Sequence, residues 1–260
     1  MDSYKLTLVH LYPRSMNTYG DLGNVIALKQ RCIWRGISLK LIEIEVGDKF
    51  DFSKADIVFA GGGQDSNQLR IAHDLQLRKN NISKAVVNNT IFLTICGTYQ
   101  LFGHYFLTSE NTKITGISVF DCITKASDIR KIGNVIVEHN INGLTPKTLV
   151  GFENHSGNTI INEYKNRDSR FTNWKNVTVP LGKVIKGFGN NGNDGWEGAR
   201  YKNCFGTYLH GSLLPKNPNF ADYLICLALE RKYGNNIKLE KLDDSLENQA
   251  HQYILNQNNI

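Results

Sequence analysis

The sequence predicts an α/β fold: a doubly wound, mostly parallel sheet flanked by helices, with extra antiparallel strands in the second half. Three observations carry this. Short, wholly apolar strand segments alternate with helical ones in the first half, and strands apolar on both faces belong in a parallel sheet covered by helices. The second half is rich in Gly, Asn and Thr and reads as hairpins attached to the same sheet. The 260 residues are 41 % hydrophobic and 21 % charged, which suits a soluble globular chain with a full core and excludes disorder, collagen and coiled coil for the whole.

The elements follow in order. Residues 4–11 (YKLTLVHL) are rich in β-formers and make a first strand, and residues 17–23 a polar, glycine-bearing loop. Residues 25–35 set Val25, Leu28 and Cys32 at helical spacing and end at Gly36, a C-cap residue. Residues 38–46 and 55–60 are strands, the second wholly apolar and followed by Gly61-Gly62-Gly63. Residues 68–79 predict a helix. Residues 90–95 (TIFLTI) are another apolar strand, broken by Cys96-Gly97 before a helical segment over 98–106. Later strands fall at 135–138, 148–152, 178–186 and 205–209. A clear helix spans 219–233, with Phe220, Tyr223, Leu224, Leu227 and Ala228 on one face. The last helix, 245–255, is polar and free to fray. No repeat or Pro-rich linker divides the chain, so one domain over 1–260 is expected.

Lys plus Arg (30) against Asp plus Glu (24) leaves +6, which reads as solubility more than as an anionic partner; no nucleic-acid signal is present. No apolar run reaches the roughly 18 residues of a membrane span, and residues 1–5 do not open a signal peptide; a cytoplasmic chain is expected. Cys32, Cys96, Cys122, Cys204 and Cys226 are odd in number and widely spaced. That argues against a disulfide framework and against a zinc site.

Cys96 is the strongest candidate for chemistry. A buried strand that ends in cysteine, then glycine, then a helix has the form of a nucleophile elbow. The helix start supplies positive potential and backbone N–H groups for an oxyanion. The alternative is a core cysteine. His210, in Thr207-Tyr208-Leu209-His210-Gly211, ends a strand where a loop begins and could act as the base of such a thiol, or be a surface histidine. Gly61-Gly62-Gly63 allows close backbone approach to a ligand. The match Gly187-Phe188-Gly189-Asn190-Asn191-Gly192 to G-x-G-x-x-G lacks a βαβ context and reads as a hairpin loop. Phe152-Glu153-Asn154-His155-Ser156-Gly157 ends a strand in a polar loop that either binds a polar substrate or makes a turn. No G-x-x-x-x-G-K-[ST] phosphate loop occurs.

With these blocks in order, the sequence resembles the class I glutamine amidotransferases of the cobyric-acid-synthase type. Within them it is most similar to the GatD-type glutaminase subunits of lipid II isoglutaminyl synthases. The blocks are YGDLGNVIALKQR (19–31), GGGQD (61–65), LTICGTYQLFG (93–103), GFENHSG (151–157), GNN (189–191) and FGTYLHGSLLPKNP (205–218). The resemblance implies a flavodoxin-like fold and a glutaminase. Cys96 would attack the glutamine side chain and His210 would move the proton. Gly62, Gly63 and Gly97 would offer backbone N–H groups to the oxyanion. Arg130 would grip the substrate carboxylate, and Gln100 and Asn154 would line the pocket.

One departure stands out. Many class I enzymes carry an acid two residues after the histidine, whereas this chain has Ser212 there and no other carboxylate obviously placed. The resemblance implies that a partner of the MurT type, a Mur-ligase homologue forming a heterodimer with this chain, supplies the acid. That partner would also hold ATP and magnesium, this chain having no cofactor of its own, and would meet lipid II at the inner face of the membrane. Two other readings stay open: the amidotransferase part of a corrinoid-type amide synthase, and a non-catalytic regulatory module.

Overall fold

The computed structural model describes residues 4–17, 20–63, 65–161, 177–234, 236–258 and 260. The first half alternates strand and helix: β1 (Lys5–Leu11), α1 (Leu22–Trp34), β2 (Ser38–Ile44), β3 (Ile57–Ala60), α2 (Asp65–Val87), β4 (Ile91–Ile95) and α3 (Gly97–Phe102). The second half adds β5 (Tyr105–Leu107), β6 (Lys113–Thr115), β7 (Cys122–Lys125), β8 (Lys131–His139), β9 (Thr148–His155) and β10 (Asn158–Ile161). It continues with β11 (Gly182–Lys186), β12 (Trp196–Glu197), β13 (Ala199–Tyr201), β14 (Cys204–Thr207), α4 (Pro218–Tyr233) and α5 (Ser245–Gln257).

The main sheet has six strands in the order β13-β14-β4-β3-β1-β2. All pairs are parallel except β13 with β14. Its central strands β3, β4 and β14 are buried along their whole length, which is why their sequences run apolar instead of alternating. Helix α1 packs with α4, and α2 with α3. One cluster of side chains, including Leu8, Val25, Phe59, Phe92, Phe205, Phe220 and Leu224, fills the core. No helix among the described residues is long and apolar enough to cross a membrane.

The structure corrects three details. The strands of the second half do not all join the main sheet. β10-β7-β5-β6 and β12-β11-β8-β9 form two separate four-stranded sheets, and only β13 and β14 extend the first. Helix α2 runs on to Val87 because Ile82, Ala85 and Val86 keep a buried face going; α3, by contrast, stops at Phe102 before Gly103. Helix α5 does not fray. Ile254 packs on Ile136 and Val150, and His251 joins Thr148 Oγ1 and the Lys216 carbonyl, each at 2.9 Å. The segment 187–195 is the turn of the antiparallel β11–β12 hairpin, as its sequence context predicts.

Candidate active site

The carboxyl ends of adjacent strands β3, β4 and β14 bring the candidate residues together, the place where open α/β sheets hold their ligands. Cys96 ends β4 with φ 50° and ψ −106°, a conformation that side chains rarely adopt and that the packing around an elbow must hold. Its amide donates to Thr207 O of β14 at 2.9 Å, and its carbonyl accepts from Gln100 at 2.9 Å. The Thr98 hydroxyl lies against the carbonyls of Ala60, Gly61 and Ile95 and so ties the elbow to the glycine loop after β3. His210, wholly buried, is fixed through its backbone, which exchanges hydrogen bonds of 2.8 and 3.2 Å with Phe152 of β9.

Gly62 lies between these groups. A Cβ there would stand 2.6 Å from His210 Cε1, 3.1 Å from Cys96 Cβ and 3.4 Å from Asp21 Oδ2, so only glycine lets thiol and imidazole meet across this loop. Gly63 and Gly97 are constrained by Met16: a Cβ on Gly63 would lie 2.4 Å from its sulfur, and one on Gly97 3.0 Å from its methyl.

A carboxylate that the sequence does not reveal, Asp21, faces His210. It sits just before α1 and is wholly buried. Its Oδ1 is 3.2 Å from His210 Nδ1, and its Oδ2 accepts the Gly62 N–H at 2.7 Å. The expectation that this chain has no acid for His210 is therefore corrected: the missing carboxylate comes from 189 residues upstream. The same contact corrects the reading of Gly62, whose N–H is taken by Asp21. Gly63 and Gly97 lie side by side, Gly63 N being 3.5 Å from where a Gly97 Cβ would stand.

Ser212 does not reach for the imidazole. Its hydroxyl donates to Gly20 O at 2.5 Å, and Asn24 Oδ1 accepts from Leu214 N at 2.8 Å. These two stitches fasten the segment carrying Asp21 to the segment carrying His210. The early block YGDLGN had a visible clue, an acid at a helix start beside two glycines, but nothing in the sequence says which histidine it faces.

A cysteine on a strained elbow, a histidine three residues beyond the neighbouring strand and a carboxylate behind it share the arrangement of a nucleophile–base–acid set. The model for CobB/CobQ-like glutamine amidotransferase domains matches residues 7–218. The chain belongs to the CobB/CobQ-like glutamine amidotransferase family. This amidotransferase is 36 % identical, over 98 % of its length and 97 % of the relative's, to the lipid II isoglutaminyl synthase (glutamine-hydrolyzing) subunit GatD of Staphylococcus aureus. It is 38 % identical to the subunit of the same name from Streptococcus pneumoniae, over 94 % and 88 % of the two chains. Its fold matches the glutaminase domain of Trypanosoma brucei CTPS with a TM-score of 0.52 at 10 % identity, covering 91 % and 98 % of the two chains.

Burial alone would push the His210 imidazole down, but the Cys96 sulfur and the Asp21 carboxylate outweigh it and hold it well above its ordinary value. Cys96 and Asp21 thus both favour the protonated ring. The other cysteines are placed otherwise: burial pushes the Cys32 thiol up to about 12 and also raises those of Cys122, Cys204 and Cys226. A raised thiol pKa leaves little thiolate, the nucleophilic form.

The expected pocket residues fall into two groups. Gln100, in α3, is buried, and its Nε2 donates to the Tyr208 hydroxyl at 3.1 Å. Arg130, exposed just before β8, donates from Nε to Asn154 Oδ1 at 2.7 Å. Asn154 lies on β9 two residues beyond Phe152, the residue bridged to His210. The rest of the GFENHSG block is structural: Glu153 accepts the N–H groups of Phe188 and Gly189, and the His155 ring stacks on Tyr208 at 3.6 Å.

Proposed function

We propose that this amidotransferase is the glutaminase subunit of a lipid II isoglutaminyl synthase. It hydrolyses glutamine to glutamate and ammonia through a Cys96 thioester. The ammonia passes to a MurT-type ligase, which holds ATP and magnesium and amidates the D-glutamate of lipid II to D-isoglutamine at the inner face of the membrane. The observation that carries the chemistry is the buried Cys96–His210–Asp21 set. The biological setting rests on the two GatD relatives, which match over nearly their whole length. That coverage favours the peptidoglycan reading over a corrinoid amide synthase.

In this mechanism the Cys96 thiolate adds to the side-chain carbonyl carbon of glutamine. The carbonyl oxygen takes the negative charge against the N–H groups of Gly63 and Gly97. His210, an imidazolium oriented by Asp21, gives its proton to the nitrogen as the C–N bond breaks and ammonia leaves. Neutral His210 then takes a proton from water, which attacks the thioester carbon; the C–S bond breaks, and glutamate and the thiolate are regenerated. Arg130, aimed by Asn154, grips the α-carboxylate. With Asp21 in the same chain, the partner is a consumer of ammonia and not the source of the third acid.

The test is ammonia release from glutamine by the purified chain, alone and with a co-expressed Mur-ligase homologue, ATP and lipid II. Amidated lipid II should appear only in the complete mixture. Release of ammonia without any amidated product, with an active ligase present, would remove the peptidoglycan assignment and leave the glutaminase.

A further inference from the structure

Of the two methionines in the chain, one is residue 1 and the other is Met16. Branched and aromatic side chains fill most of the core, so the use of an unbranched thioether at this one place asks for a reason. Met16 lies in the loop after β1 and is wholly buried. Its sulfur and methyl take the space that side chains on Gly63 and Gly97 would need, and its carbonyl takes that of Gly61. One thioether therefore lies against both the glycine loop after β3 and the first residue of α3.

The loop holds Met16 there from outside the site. Tyr12, at φ 59°, donates its N–H to Ile44 O at 2.7 Å, and its carbonyl accepts the Met16 N–H at 2.8 Å. Its hydroxyl donates to Asp74 Oδ2 at 2.6 Å, and Arg78 pairs with the same carboxylate. Strand β2 and helix α2 thus anchor the turn that aims the thioether. An unbranched, adaptable side chain fits the narrow gap between two glycine Cα atoms, where a branched one would crowd one of them.

We propose that Met16 is a positioning residue whose thioether sets the spacing of the Gly63 and Gly97 peptides, and so the fit of their N–H groups to the oxyanion. The inference rests on the thioester mechanism proposed above. Donors to an oxyanion act over a narrow range of distance, and the charge they meet develops only in the steps that make and break the thioester. Met16 therefore acts on kcat and leaves the binding of glutamine alone.

The experiment uses the full chain and reads two reactions of Cys96: ammonia release from glutamine, and alkylation by iodoacetamide located by peptide mass spectrometry. Alkylation joins the sulfur to a saturated carbon and expels iodide, so it needs the thiolate but forms no oxyanion. Met16→Leu keeps the volume and branches the side chain, whereas Met16→Ala empties the gap. Each should lower kcat about 10- to 100-fold, the scale of a displacement of about 1 Å at reacting groups, with KM level and alkylation at the parent's rate. Val86→Ala opens a cavity at the far end of α2, and should lower Tm while keeping kcat. If Met16→Ala does not fold, Met16→Leu carries the test, since volume-conserving exchanges are tolerated best. An unchanged kcat in either folded variant overturns the proposal. So does alkylation that slows in step with kcat, which would make Met16 a support of the nucleophile, or an equal loss of kcat in Val86→Ala. A parent that alkylates normally yet releases no ammonia is a different failure: it removes the glutaminase reading, and the inference with it.

Discussion

Asp21 makes two hydrogen bonds that a neutral amide cannot both reproduce. Its two oxygens each accept, one from His210 and one from the Gly62 N–H. An asparagine has one acceptor and one NH₂, so Asp21→Asn must leave a donor facing a donor. Turnover should fall by about 10²- to 10⁴-fold, as when the acid of a comparable triad is lost, and the buried donor–donor contact should lower Tm as well. Steady-state kinetics of the lone chain decide it, and full activity would show that His210 needs no carboxylate. Cys96→Ala should abolish hydrolysis with the fold intact, and Cys32, Cys122, Cys204 and Cys226 should each be dispensable for it. Arg130→Ala should raise KM roughly 10- to 150-fold, the worth of a charge-assisted hydrogen bond of about 1.5–3 kcal/mol. An unaltered KM would make Arg130 a solvated charge. Cys96 and His210 were legible because each follows within a few residues of a strand and precedes a glycine, a local signature. Asp21 was not, because its meaning is a contact across 189 residues, and spacing along the chain carries no trace of it.

At the scale of elements, the helices and buried strands of the first half announce themselves through periodicity. Helix α5 does not, since only His251 and Ile254 of its residues are buried. Its anchorage is ionic at the near end. Arg31 of α1 holds Asp222 of α4 at 2.6 and 2.7 Å and Asp244, just before α5, at 2.6 and 3.0 Å. Removing one partner of a largely buried ion pair typically costs about 3 kcal/mol or more. Arg31→Met should therefore lower Tm by roughly 6–12 °C in a chain of this size. Hydrogen exchange should rise first in α5. Uniform loss of protection across the main sheet, with α5 no worse than the rest, would contradict that reading.

Across the whole molecule, the parallel sheet was readable because its strands are too apolar to face water. The two smaller sheets were not, because short alternating strands do not reveal which neighbours they pair with. Where the sheets meet, Glu197 of β12 is wholly buried, with Oε1 accepting from Tyr208 N at 2.7 Å and Thr207 Oγ1 at 2.9 Å. Burial pushes its carboxyl up to about 8 from 4.5. Between those values the folded chain holds a proton that the unfolded chain has released, so stability falls as pH rises through the interval. Glu197→Gln keeps the accepting oxygen and removes the ionisation. Its Tm should gain on the parent's from pH 5 to pH 8, and a constant difference would show that Glu197 stays charged throughout.

The stitching of Gly20–Asn24 to Ser212–Leu214 also bears on when the enzyme comes alive. On the proposed mechanism, a nascent chain emerges with its acid first and its nucleophile next. Its base comes only with β14, a strand that must enter the sheet between β4 and β13. Until then, the elbow has a thiol with nothing to take its proton. Glutamine is safe from the unfinished protein on the ribosome, and hydrolysis starts only when the last strand of the main sheet has closed over the first loop.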